Sequence, residues 1–119
     1  MWMQKQKLAL GPILLHLNAV LNANEFRVAV YFKAKSENAE ELCQRLLGML
    51  TPTRAEDGCI LYELHQVEGS SDEFFVFERW ASKEAHHKHS ETAHLQDLIA
   101  IVPKLVAQPV VAYHVKQIG

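Results

Sequence analysis

The chain is poor in the motifs that announce a chemistry. It has no GxxxxGK[ST] loop, no GxGxxG, no GxSxG and no HExxH. Phosphate-loop, dinucleotide-fold, serine-hydrolase and zinc-protease readings therefore have no motif to rest on. Cysteine is scarce: Cys43 falls in a helical pattern and Cys59 in a strand, with no CxxC pair. Buried free thiols in a reducing, cytoplasmic setting are the expectation, ahead of a disulfide. Basic charge is also short, with 12 Lys and Arg against 14 Asp and Glu. Residues 1–24 hold only Lys5 and Lys7, so residues 25–119 carry a net −4. A nucleic-acid surface needs a concentrated basic patch, and none is present. Repeats, low-complexity tracts and linkers are absent.

No apolar run is long enough to span a bilayer. Leu8–Leu21, preceded by Lys5 and Lys7, has the outline of a signal peptide. Gly11-Pro12 interrupts it, His16 and Asn18 lie inside it, and no A-x-A site follows. After Pro12, Ile13, Leu14, Leu17, Val20 and Leu21 make a helical stripe. An N-terminal helical extension over residues 1–24 is expected, packed on the domain or on a partner subunit, with a cleaved signal as the alternative. Membrane and nucleic-acid partners are not expected.

What remains is room for one domain with a modest core, since 119 residues at 49% hydrophobic and 22% charged are ordinary globular values. Phe26–Phe32 predicts a strand rich in β-branched and aromatic residues. Asn38-Ala-Glu-Glu41 has the capping-box form, and Ala39, Leu42, Cys43, Leu46, Leu47 and Leu50 give a helical stripe, with a bend or brief break expected at Pro52. Cys59–Glu68 and Glu73–Trp80 read as a hairpin joined through Gly69–Asp72. Ser82 caps a short helix, and a second, starting near Thr92, carries Leu95, Leu98, Ile99 and Val102. Pro109–Ile118 is the last strand. The βαββαβ order predicts an α+β, ferredoxin-like domain over residues 25–119, with a four-stranded antiparallel sheet and helices on one face. Phe74–Phe77 and Val110-Val111 are apolar at consecutive positions, which implies that both sheet faces are covered. A homodimer follows as the expectation.

Chemistry centres on Trp80 to His94. His86 and His89 share one helix face and His87 does not; without a third converging ligand no metal is expected, and His86 and His87 are read as solvated. His89 lies one turn after Ala85 and His94 aligns with Leu98, so both can face inward as acid–base groups or as satisfied core histidines. Trp80 is core or a flat pocket wall. Glu63 and Glu78 sit mid-strand and require partners, for which Arg54 and Arg79 are the candidates. Tyr62 and His65 lie on opposite faces of one strand, and either could line a cavity.

Arg54-Ala-Glu-Asp-Gly-Cys-Ile-Leu-Tyr-Glu-Leu-His65, followed by Phe75-Val-Phe-Glu-Arg-Trp80, Ala85, His89 and Ala93-His94, resembles the antibiotic biosynthesis monooxygenase (ABM) domain family over about residues 25–117. The quinol-monooxygenase-like branch is nearest. The resemblance implies a dimeric α+β barrel with a pocket in each subunit. It also implies oxidation of a quinol or polyhydroxylated aromatic by O2 without a cofactor. In that reading His89 and His94 are catalytic, and Trp80, Tyr62, Glu63 and His65 bind substrate. A related isomerase and a non-catalytic ligand-binding domain are the other readings. The haem-degrading branch implies an Asn on the first strand, a Trp near the place of His89 and a haem-ligating His on the last helix. Tyr31, Phe32, His89 and Ile99 stand there instead.

Overall fold

The computed structural model describes residues 24–119, and the N-terminal helix and possible signal lie outside that range. Four strands form one antiparallel sheet: β1 (Phe26–Lys33), β2 (Cys59–Gln66), β3 (Glu73–Trp80) and β4 (Val111–Val115). Their spatial order is β2-β3-β1-β4, the arrangement of the ferredoxin-like fold expected from the element order. β4 is shorter than the apolar run around it.

Register decides which side chains face the helices. Pairing of Phe26 with Trp80, Val28 with Glu78 and Phe32 with Phe74 puts these on the inner face. Pairing of Val28 with His114 and of Tyr62 with Glu78 adds two more. Because side chains alternate along a strand, Tyr31, Glu63, His65, Phe75 and Phe77 belong to the other face.

Helices α1 (Ala39–Leu47), α2 (Leu50–Arg54), α3 (Lys83–Ser90) and α4 (Ala93–Leu105) supply the covering layer. Leu42 and Leu46 of α1 and Leu98, Val102 and Leu105 of α4 join Phe32, Tyr62, Phe74 and Val76 in one core. The capping box does not form: Asn38 makes no side-chain cap bond, because a 3-10 turn over Ser36–Asn38 leads into α1. Pro52 bends nothing. The chain breaks earlier, at Gly48-Met49, and Pro52 falls in the first turn of α2, where its missing N–H has no intrahelical partner to lose. The Ser82 and Thr92 caps are present, accepting from Ala85 N at 3.1 Å and Leu95 N at 3.4 Å.

Gly58 sets the seat of α3. Its φ is +82°, and a Cβ there would lie 2.6 Å from the Cβ of Ala85. Only glycine satisfies both the left-handed turn and that close approach. Ala81 N donates to Gly58 O at 2.7 Å, tying the entry of α3 to the same loop. Both cysteines are free and half-buried, and burial raises both thiols above their usual pKa.

Candidate active site

A cavity of about 780 Å³ lies between the inner sheet face and α4. Its body is apolar, with Val28, Val30 and Phe32 on the sheet side and Leu95, Leu98 and Val102 on the helix side. Polar groups gather at one end: Tyr62, Glu78, His86, His89 and His114. Such a space suits a ligand with an apolar body and one hydroxylated or charged end.

Each polar group arrives by a local rule. Tyr62, Glu78 and His114 are inner-face residues by strand parity, and His86 and His89 are one helical turn apart on the face of α3 that meets the sheet. His86 is therefore not solvated as expected. Its ring lies 4.9 Å from Phe26, 6.0 Å from Trp80 and 6.2 Å from His114. Burial, and then the neighbouring imidazoles of His89 and His114, lower its pKa. The i, i+3 spacing already held that signal. His87 is exposed, as the helical pattern predicts.

Glu78 has neither arginine as its partner. Arg54 donates twice to the Tyr62 carbonyl, at 3.0 and 2.8 Å, and Arg79, on the outer face, pairs with Glu25 at 2.8 and 3.1 Å. Glu78 instead accepts from the Trp80 indole N–H at 2.9 Å, with His86 Nε2 4.0 Å away. It is only 7% exposed. Desolvation outweighs the indole bond and raises its pKa.

Trp80 is fully buried and does not line the cavity; it stands behind the imidazoles, with its ring 4.8 Å from that of His89. Tyr62 does line it, edge-on to His89 at 5.9 Å, and burial holds its phenol well above the usual pKa. Glu63 and His65 point away from the cavity. They bond to each other at 3.1 Å on the outer face, because β2 alternates and Tyr62 takes the inward position.

Sequence reasoning missed two residues: His114, which β4 brings to the cavity, and, at the centre of the site, Glu56. Its Oε2 accepts from His89 Nδ1 at 2.6 Å and from His94 Nε2 at 2.8 Å. It lies two residues before Gly58 in the loop that seats α3, and no periodicity marks a loop residue. A carboxylate only accepts, so both imidazoles must present an N–H to it. In its neutral form His89 is thereby held in one tautomer and one orientation, with the lone pair on Nε2, the ring nitrogen turned away from Glu56. His94 does not open into this cavity. It borders a shallower cleft of about 270 Å³ on the far side of Glu56, with Gln44, Arg45 and Asp97.

Known proteins are similar to this chain in sequence and architecture. "Putative monooxygenase YcnE" of Bacillus subtilis is 33% identical over 79 residues, which are 66% of this chain and 83% of that protein. "Putative monooxygenase Rv0793" of Mycobacterium tuberculosis is 35% identical over 83 residues, 70% of this chain and 81% of that protein. The solved structure of Rv0793 superposes with a TM-score of 0.76 at 30% identity, covering 81% of this chain and 97% of that one. The profile of the family described as Antibiotic biosynthesis monooxygenase matches residues 25–100, the stretch that carries β1, the Glu56–Gly58 loop and all of α3. The chain belongs to the antibiotic biosynthesis monooxygenase family.

Proposed function

We propose that the protein is a monooxygenase that inserts one atom of O2 into a quinol or polyhydroxylated aromatic, drawing all the electrons from the substrate. The observation that carries this reading is the Glu56–His89 pair opening on the cavity: a buried imidazole with its tautomer set by a carboxylate at 2.6 Å. Family membership supports oxygen chemistry at the coarser level. The apolar body of the cavity supports an aromatic ligand, and its polar end supports a hydroxylated one.

For a quinol the balance is quinol plus O2 giving hydroxyquinone plus water. His89 Nε2 takes a phenolic proton, which makes the ring electron-rich. The phenolate passes one electron to O2, and the resulting ring radical and superoxide join to form a C–O bond. His89 returns its proton to the outer oxygen. The ring C–H proton leaves as the O–O bond breaks, so the carbon becomes a carbonyl and the outer oxygen departs as water. O2 gains four electrons and the substrate loses four, so the reading needs no flavin or metal. The apolar cavity favours the step by keeping water from the radical pair. His94 is a positioning residue that acts through Glu56.

The apolar outer face of the sheet supports the companion proposal of a homodimer. Membrane crossing has no support among the described residues, none of whose helices is long and apolar enough.

The test is oxygen uptake by metal-stripped protein given reduced quinols, with ¹⁸O2 as the label. One labelled atom should appear in the product and one in water. His89→Ala should lower kcat/KM by roughly 10²–10⁴-fold, the usual contribution of a general base. An unchanged rate in that variant would remove His89 from the mechanism. Ligand binding without uptake would leave a binding domain.

A further inference from the structure

The ring of His89 separates two compartments. Its Nε2 edge belongs to the large cavity, and its Nδ1 edge faces Glu56, beyond which His94 reaches the shallow cleft. On the Nδ1 side, two imidazole nitrogens and a carboxylate oxygen lie within 4.8 Å of one another. Two histidines and one carboxylate are a ligand set for divalent first-row transition cations, zinc among them. The large cavity does not include His94 or its cleft. The side chains of His94 and Glu56 retain 25% and 13% exposure, and His94 borders the cleft, where Asp97 lies one turn beyond it.

We propose that Glu56, His89 and His94 form a reversible site for a divalent first-row transition cation, zinc foremost, whose occupation turns His89 from a base into an acid. The present spacings of 2.6 and 2.8 Å are those of hydrogen bonds. Tetrahedral zinc at about 2.0–2.2 Å from each ligand separates the donors by roughly 3.3 Å. Loading therefore requires the carboxylate to draw back by about half an ångström and the imidazoles to converge, with the two N–H protons that now fill the space moving to the opposite nitrogen of each ring. A neutral imidazole binds metal through its unprotonated nitrogen. Metal on Nδ1 thus leaves the His89 proton on Nε2, the edge that faces the cavity. The cation and the substrate never touch; they compete for opposite ends of one ring. The second half of the proposal rests on the reading of His89 as the base, whereas the binding site does not.

Calorimetric titration of the metal-free protein with Zn²⁺, alongside the absorption spectrum with Co²⁺, tests the site. One cation per chain is expected. Glu56→Gln and His94→Ala should each weaken it at least tenfold, while His87→Ala, on the exposed face of α3, should leave it unchanged. Glu56→Gln keeps a carbonyl oxygen to accept one imidazole N–H, and its folding is checked by circular dichroism. Absence of binding, or equal binding in all the variants, overturns the site. Imidazole ¹⁵N NMR tests the switch without any substrate: His89 Nε2 should change from the unprotonated to the protonated type on zinc loading. An Nε2 that stays unprotonated overturns it. If the quinol assay fails while zinc binds and the tautomer flips, the oxygenase reading falls and the metal site stands. If oxygenation is found, Zn²⁺ should suppress it at least tenfold and a chelator should restore it; undiminished turnover of the zinc-loaded protein overturns the switch.

Discussion

The two faces of the sheet carry similar residue types and treat them in opposite ways. Inside, Phe32, Phe74, Val76 and Trp80 are buried beneath the helices. Outside, Phe75 and Phe77 stack in parallel at 5.7 Å, Tyr31 lies 5.1 Å from Phe75, and Phe77 and Tyr113 remain 37% and 55% exposed. The carboxylates differ as sharply. On the outer face Glu25 is held low by Arg79, and Glu73 by the Tyr31 hydroxyl at 2.5 Å. At the sheet's end Lys33 does the same for Asp72. Inside, Glu78 has only an indole N–H, and burial pushes it upward. Charges on the outer face are paired for structure. The inner face keeps a carboxyl and three imidazoles beside a cavity, where perturbed groups do chemistry.

The contrast can be broken first at its largest packed residues. Trp80→Ala should cost about 3–5 kcal/mol, the range for removing a fully buried aromatic, read as a shift in the urea midpoint at constant slope. A loss below about 1 kcal/mol would mean that the inner layer is not the core. Phe77→Asp sharpens the outer half. If a second subunit covers this face, the change should weaken self-association at least tenfold while leaving the monomer folded, because a carboxylate replaces apolar contact area. Light scattering at micromolar concentration reads the result, and a wild-type monomer would remove the dimer outright.

Glu78→Gln tests the electrostatic half. A carboxyl whose folded pKa lies above its unfolded value stabilises the fold below the unfolded pKa, and loses that contribution as pH rises through the folded one. The variant should match wild type at acid pH and become the more stable of the two as pH rises above the ordinary carboxylate range. Urea midpoints between about pH 4 and pH 7 measure this. Parallel curves would mean that Glu78 is solvated. Lys33→Ala marks the lower end. Its partly exposed pair with Asp72, at 2.9 Å, should contribute little to stability, and that little should fade with salt.

Most of the fold was legible because its signals are local. Runs rich in β-branched and aromatic residues, two of them joined by a polar turn, placed β1, β2 and β3, the stripe Ala39 to Leu47 placed α1, and Ser82 and Thr92 marked two helix starts by their own side-chain bonds. The site was legible only in part. His89 was found from its spacing after Ala85, but His86 was assigned to solvent although it shares the same face. Of the two readings of Trp80, core and pocket wall, the structure bears out core: it fills the space behind the imidazoles. Glu63 and His65 were grouped with Tyr62, although strand alternation sends them outward.

Sequence by itself determined the elements, their order and the membership of the family, because periodicity, caps and turn residues act over a few neighbours. Only tertiary structure decided the site. Glu56 meets His89 and His94 across 33 and 38 residues, and that meeting depends on α3 docking against a loop glycine that leaves no room for a Cβ. Chemistry there comes from side chains brought together through space, and no local pattern records which residues those will be.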